Sequence, residues 1–559
     1  MIDFFEKIPL IAFVQHYCKF LNRKFFLLNL LSGLSSTAIV ALVNSSAAKK
    51  NASSFDLTTF LIFAITLVCY IVTTKTLMNI TFEVTEDSVD SVRRSLFRKL
   101  RLCDLEFFEQ RNRNTIYDQI MKSTATIAQT GAFILATGPE LILIVMVYIY
   151  IFFLSKTAFL IAIGMLTAAS FIFIKKTNEV EKYFLEAADH DQQVGSFLSG
   201  LLFGFKECLL NSRRDTDLAS EFSSSSNDLA DSRILAGKNF SNIYAFVQIF
   251  FYVLLAIIVF LMPVLGWHNS EDQMMTFKLV AAIFFVFIPT VNVVRMINYN
   301  TQVSVAISGI RKLENFIDER LRENGVKVDS DKDEIYTPPD FDSLELKDIE
   351  YSYYDADRMA TFSVGPVSFR LNKGDVVFIC GRNGSGKTTF LKLLAGLYKP
   401  KKGEIKENER VVFFNSNQIY RESFAAVFSD FHLFQKLHGL HETDPGKTAE
   451  LLTLFQLDYK TKRIGEMFSN LELSTGQRKR LALIVALMEE KPVYIFDEWA
   501  ADQDPHFREY FYLELLPRLK REGKTIIAVT HDDRYFDCCD RILWFQDDGI
   551  VETENNIEP

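Results

Sequence analysis

The chain has 559 residues, more than one ordinary domain holds, with 49% hydrophobic residues, 52 phenylalanines and a mean hydropathy of +0.10. That mean averages an apolar portion before about residue 300 and a charged portion after it, and the net charge of −9 argues against a nucleic-acid binder. The seven cysteines (Cys18, Cys69, Cys103, Cys208, Cys380, Cys538 and Cys539) form no CxxC pair and no metal-ligand spacing, which fits reduced thiols and excludes a disulfide-built fold.

In chain order, residues 1–24 come first. Lys7, Lys19, Arg23 and Lys24 interrupt their apolar residues and no small-residue cleavage site follows, so they read as an amphipathic helix on the membrane surface, not as a cleaved signal. A spanning helix needs about 20 apolar residues. Six segments qualify: 25–47, 57–74, 125–154, 157–174, 240–265 and 279–294, the last short enough to extend past both ends. Lys and Arg set their orientation. The loop after the second span carries nine of them, among them Arg93, Arg94, Lys99 and Lys122. The loop after the fourth carries eight, among them Lys175, Lys182, Arg213 and Arg233, whereas the other three loops hold only Lys49, Lys50 and Lys156. The two long loops and the N-terminus are therefore expected inside. An even number of spans leaves the C-terminal part inside too.

Both long loops have a helical pattern with few Gly or Pro, so they read as extensions of the spanning helices. Each is expected to turn at a short cross-helix, Leu105–Gln119 in the first and Gly200–Asn211 in the second, and to pass motion to the bilayer. Within the spans Glu140, after Gly138 and Pro139, is the one acidic residue well inside, and such a carboxylate marks a cavity or pathway. Asn44, Gln248 and Asn292 are further cavity candidates, although polar residues also join helices. Lys278 is expected to snorkel to the outer interface. The reading is thus a membrane domain over 1–320, a polar linker over 321–343 containing Pro338-Pro339, and an α/β domain over 344–559, without internal repeats.

The last part carries the chemistry. A buried-strand pattern, Asp375–Cys380, runs into GRNGSGKTT at Gly381–Thr389 and then a helix near Thr389. Strand, glycine-rich loop and helix make a phosphate-binding loop. The amides around Gly381, Asn383, Gly384, Ser385 and Gly386 would curl round phosphates at a helix N-terminus, Lys387 would reach the β- and γ-phosphates, and Thr388 would ligate Mg²⁺. A second buried strand, Val493–Phe496, ends in Asp497, which would hold Mg²⁺ through water, and Glu498, placed to polarise the attacking water. His531 ends a third, Thr525–Thr530, and would contact the γ-phosphate. LSTGQ, Leu473–Gln477, opens a helix over Arg478–Met488 whose first amides make another anion site. Ser474, Gly476 and Gln477 would meet ATP bound to a second cassette. One membrane set and one cassette therefore make a half-unit that must pair, most simply with itself.

In this order the motifs resemble the ABC transporter ATPases, and the whole chain resembles an ABC exporter half-transporter, with a membrane all-α domain of six helices fused to an α/β P-loop ATPase with a helical subdomain. The resemblance covers about residues 10–550. It implies that Tyr353 stacks on adenine, with Tyr354 as the register alternative, and that Asp504 links the two cassettes. Three stretches depart from the common pattern: AVFSDFHLF (Ala426–Phe434), with Ser429 in the place of the metal-contacting Gln and Asp430 beside it as an alternative donor; Thr475 for the second Gly of LSGGQ; and WAADQDP (Trp499–Pro505) after the catalytic Glu. Together with GFKECLLN (Gly204–Asn211) they resemble the bacterial cyclic-peptide exporters of the syringomycin and pyoverdine type. The resemblance implies ATP-driven export of a cyclic peptide, lipopeptide or peptidic siderophore across a bacterial inner membrane, by a homodimer in the bilayer with or without periplasmic and outer-membrane efflux partners. A general lipid or multidrug exporter stays open as an alternative. A regulatory ABC ATPase that gates a partner would instead call for degenerate catalytic residues, yet Lys387, Asp497, Glu498 and His531 all stand.

Overall fold

The computed structural model describes residues 9–17, 23–47, 56–110, 113–261, 270–326, 340–354, 360–413, 418–546 and 549–554, with the side chains of 9, 47, 110, 170–181, 270–273, 354, 360, 549, 550 and 554 excluded. The chain divides into two compact units, 1–101 with 111–319, and 102–110 with 320–559.

The first unit is all helix. Arg23–Ala47, Leu57–Leu102, Arg113–Ala136, Gly138–Leu154, Lys156–Phe203, Ser212–Ala256 and Ser270–Glu323 are its long elements. Five described helical segments are long and apolar enough to cross a membrane, with Lys156–Ala169 a shorter apolar stretch at the start of the fourth predicted span. Most run tens of residues beyond their apolar windows, so the spans continue as polar helices. The predicted span 125–154 is broken in two at Thr137, because Pro139 removes a backbone donor and the helix must restart around it. The last span does extend past both predicted ends and carries Pro289 inside it. Leu143, Val147, Ala158, Ala162, Phe251, Leu279 and Ile283 are part of a core that joins four of the helices.

Two expectations change here. The N-terminal helix, Pro9–Tyr17, does not offer its apolar face to lipid: Leu10, Phe13 and Val14 are at most 1% exposed. Leu10 lies against the place where Gly131 lacks a side chain, and the Tyr17 hydroxyl donates to Glu314 at 2.7 Å. Burial of those side chains against the bundle is worth about 1.5–3 kcal/mol each, more than a surface position returns. The first cross-helix is also shorter than predicted, Leu105–Gln110, and Gln119 already belongs to the next long helix. The second is Phe205–Leu210, within its predicted bounds. The linker's Pro338-Pro339 and the loop residues Lys49 and Lys50 lie outside the described residues.

The second unit is the α/β domain. Its strands are β1 (Ser343–Tyr354), β2 (Ala360–Asn372), β3 (Val376–Gly381), β4 (Lys402–Glu407), β5 (Arg410–Val411), β6 (Phe424–Val427), β7 (Arg463–Ile464), β8 (Met467–Phe468), β9 (Val493–Asp497), β10 (Thr525–Val529), β11 (Arg541–Gln546) and β12 (Gly549–Glu554). The main sheet runs β12-β11-β3-β10-β9-β6, parallel except for β12. β2-β1-β4-β5 form an antiparallel sheet beside it. Strands β9 and β10 are buried throughout, as expected of a parallel sheet covered on both faces. The ends of β3, β9 and β10 therefore lie side by side and bring three distant loops together.

The segment 102–110 clusters with this α/β unit although it sits between membrane helices in sequence. Asp104 and Glu106 pair with Arg320 at 3.0 and 2.6 Å, Asn324 donates to Asp104 at 2.9 Å, and Glu109 pairs with Lys392 at 2.8 Å and accepts from Tyr398.

Candidate functional site

The phosphate loop is built by close approach. Gly381 has φ +142°, and a Cβ on it would sit 2.4 Å from the carbonyl of Phe545. Gly386 has φ +96°, and a Cβ there would be 2.5 Å from Val364. Only glycine fits both places. Asn383 and Gly384 form the exposed tip, and the hydroxyl of Ser385 is buried without a partner among the described residues. The helix then opens at Lys387, earlier than predicted, and runs to Leu394. Lys387 is 5% exposed, and its ammonium donates to the carbonyls of Gly381 and Arg382 at 2.9 Å. Burial lowers its pKa, against the opposing pull of Glu498 and Asp497.

Thr388 turns to the end of β9. Its hydroxyl lies 3.1 and 3.3 Å from the two carboxylate oxygens of Asp497, which is 1% exposed. Burial raises the Asp497 pKa, and bonds from Ser429 and Thr388 oppose the shift. A hydroxyl and a carboxylate converging beside a phosphate loop are the hard oxygen donors that Mg²⁺ takes, so these residues fit the ion. Among the described residues no three His, Cys, Asp or Glu side chains gather, so phosphate oxygens and water would complete such a shell. Ser429 meets Asp497 through its backbone N–H at 3.4 Å and thus supports a carboxylate that holds the ion; Asp430 is exposed one residue on.

Glu498 has φ +50°. Its Oε1 is 3.4 Å from Nε2 of His531, and both side chains are partly open to solvent. Carboxylate and imidazole can therefore share one water in front of the phosphate loop.

The signature helix spans Thr475–Met488, three residues earlier than predicted, because Ser474 and Gln477 close a reciprocal capping box at 3.4 and 3.1 Å. Gly476 follows Ser474 in this turn. Asp504 accepts from the N–H of Phe507 at 3.1 Å and so caps the helix Pro505–Tyr510 within its own cassette. The Tyr353 hydroxyl is 3.2 Å from that of Thr389 and 3.1 Å from that of Tyr398, which fixes its ring beside the first turn of the phosphate-loop helix. The side chain of Tyr354 lies outside the described residues. Phe362 stands opposite Tyr353 in the register of β1 and β2, and its ring is 3.3 Å from the place of a Cβ on Gly386. No sequence motif pointed to Phe362; only strand pairing could.

In the membrane-spanning unit, Asn292 donates to Glu140 at 2.6 Å, so two of the four cavity candidates come together, and the second oxygen of Glu140 is buried without a partner among the described residues. Asn44 instead donates to the carbonyl of Lys278 at 2.9 Å and to the hydroxyl of Tyr150 at 3.2 Å, joining helices as a 1% exposed residue. Gln248 is half-buried on Ser212–Ala256.

The ABC transporter family profile matches residues 364–501. The ATP-binding protein SyrD of Pseudomonas syringae pv. syringae is 33% identical over 410 residues, 72% of this chain and 71% of that protein. The macrolide export ATP-binding/permease protein MacB of Shewanella oneidensis is 30% identical over 203 residues, 34% of this chain and 31% of that protein. A solved bacterial Atm1-family ABC exporter with ATP bound superposes with a TM-score of 0.73 at 17% identity, covering 96% of each chain. The 410 residues aligned with SyrD exceed the length of the α/β domain, so that likeness runs well into the membrane-spanning half.

Proposed function

The chain belongs to the ABC transporter family, and from that premise we propose that it is a homodimeric inner-membrane exporter of a small peptide-derived compound. A cyclic peptide, a lipopeptide or a peptidic siderophore would be its cargo. The observation that carries ATP-driven work is the assembly of Lys387, Thr388, Asp497, Glu498 and His531 at the ends of three adjacent strands.

Lys387 binds the β- and γ-phosphates once it exchanges the loop carbonyls for them. Thr388 and Asp497 would hold Mg²⁺, which would supply positive charge to the γ-phosphate. Glu498 accepts the proton of the attacking water as the oxygen–phosphorus bond forms and the bond to ADP breaks, and His531 orients the water and the γ-phosphate. The paired state is supported by the signature turn at Ser474–Gln477, a capped helix N-terminus suited to meeting the phosphate of a second copy. The exposed short helix Phe205–Leu210 supports it as well, since its apolar side chains suit the cassette of a second copy. Binding closes the pair, the short helices carry the closure to the spans, and the cavity near Glu140 switches from inward- to outward-facing. With the cassettes and the N-terminus cytoplasmic, cargo leaves the cell.

The peptide class rests on AVFSDFHLF, WAADQDP and GFKECLLN and on the extent of the likeness to SyrD. The test is ATP-driven uptake into inside-out vesicles, with Glu498→Gln vesicles as the blank. Uptake of cyclic peptides or siderophore precursors, absent in the blank, is expected. Uptake of lipids or cationic drugs alone would move the chain to the general exporters, and ATPase activity without any uptake would favour a gating role.

A further inference from the structure

The loop after Glu498 is gripped by a buried cation that the transport cycle above does not use. Lys479, in the first turns of the signature helix, is 4% exposed. A buried ammonium persists only when paired. Its Nζ donates to the carbonyl of Glu498 at 2.8 Å and meets the carboxylate of Asp502 at 2.7 Å. The link runs the other way too. The indole N–H of Trp499 donates to the carbonyl of Lys479 at 2.9 Å, and the Gln503 amide donates to the carbonyl of Gly476 at 3.2 Å. Gly476 closes the contact, since a Cβ there would be 2.7 Å from the carbonyl of Asp502. Trp499 is 1% exposed and stacked on Phe511, so the anchor is rigid.

Glu498 is held at φ +50°, ψ +36°. For a residue with a side chain this left-handed conformation costs about 1–3 kcal/mol and lasts only where neighbours fix it. The Glu498 carbonyl is the group Lys479 grips. Released, the residue would relax to negative φ and swing its carboxylate from His531.

We propose that Lys479 is a positioning residue that locks Glu498 in its left-handed conformation and makes the signature turn and the catalytic loop one body. Its second consequence rests on the paired-cassette reading. There the signature turn faces nucleotide on the partner while Glu498 faces its own, so Lys479 couples the two ATP sites.

The test is Lys479→Met in the full-length transporter, which keeps the aliphatic stem and removes the ammonium. ATPase saturation curves and nucleotide binding are read together. The expected result is a kcat lowered about tenfold or more, with KM and nucleotide affinity within about twofold of the parent. Trp499→Phe, which keeps an aromatic ring against Phe511 but loses the N–H along with some buried volume, and Asp502→Asn should move kcat the same way by less. These two carry the test if Lys479→Met does not accumulate as folded protein. A kcat within about twofold of the parent in the folded variants overturns the proposal, as does a loss of nucleotide affinity equal to the loss of kcat. The Hill coefficient separates the two consequences. A cooperative parent with non-cooperative variants supports the coupling. A non-cooperative parent overturns the coupling and the pairing beneath it, while a lowered kcat still upholds the lock on Glu498.

Discussion

Two six-residue helices sit at the turns of the two long polar hairpins and meet opposite conditions. Around Leu105–Gln110 the charges are matched: Asp104, Glu106 and Glu109 find Arg320, Asn324, Lys392 and Tyr398, and Phe107 is 1% exposed. Around Phe205–Leu210, Phe203, Leu209 and Leu210 are 81, 71 and 89% exposed. Half-buried ion pairs and the buried Phe107 ring satisfy the first helix within its own chain. The second exposes neighbouring apolar side chains of the kind that mark an interaction site. A single copy covers the first helix and leaves the second open, as the proposed pairing of two copies would require.

That contrast can be broken most sharply at the second helix. Leu209→Asp with Leu210→Asp should abolish ATP-driven vesicle uptake, by about tenfold or more, with nucleotide binding retained, because a carboxylate in a desolvated contact costs several kcal/mol. Normal uptake by that variant would remove the case for a partner surface there. Glu109→Ala should act less strongly: it deletes the carboxylate that Lys392 and Tyr398 share, and charge-assisted bonds are worth about 1.5–3 kcal/mol each. Uptake per ATP hydrolysed should fall by about threefold to tenfold, measured as a coupling ratio. Glu140→Gln should change uptake while ATPase stays within about twofold, since Asn292 is its described partner and no cassette group is. The smallest effect is expected at Ser429→Gln, with ATPase within a few-fold, because Glu498 and His531 are untouched; a hundred-fold loss would show that Ser429's support of Asp497 cannot be replaced.

Much of the cassette was legible in sequence because its chemistry is local. GRNGSGKTT fixes a loop conformation by its glycines, and buried strands ending in Asp497-Glu498 and His531 put the reactive groups at sheet ends. The Lys479 lock was not legible, since a lysine on a helix reads as solvated until the burial of its neighbours is known. Asp504 caps a helix in its own cassette, a role that its resemblance to a residue linking two cassettes did not reveal. Asn44 read as lining a cavity, yet it joins helices, because the same amide serves both and only geometry separates them. The N-terminal helix was misplaced for a similar reason: an apolar face suits lipid and protein alike, and the glycine at 131 that receives Leu10 is far off in sequence.

The sequence alone determined that this protein spans a membrane and hydrolyses ATP, because apolar length and a phosphate-binding loop are properties of contiguous residues. Tertiary structure alone decided which partners its polar groups take. Glu140 with Asn292, Lys479 with Glu498 and Glu109 with Lys392 are separated by 152, 19 and 283 positions. Such pairings are selected by packing and by the cost of leaving a buried charge without a partner, which no local pattern encodes.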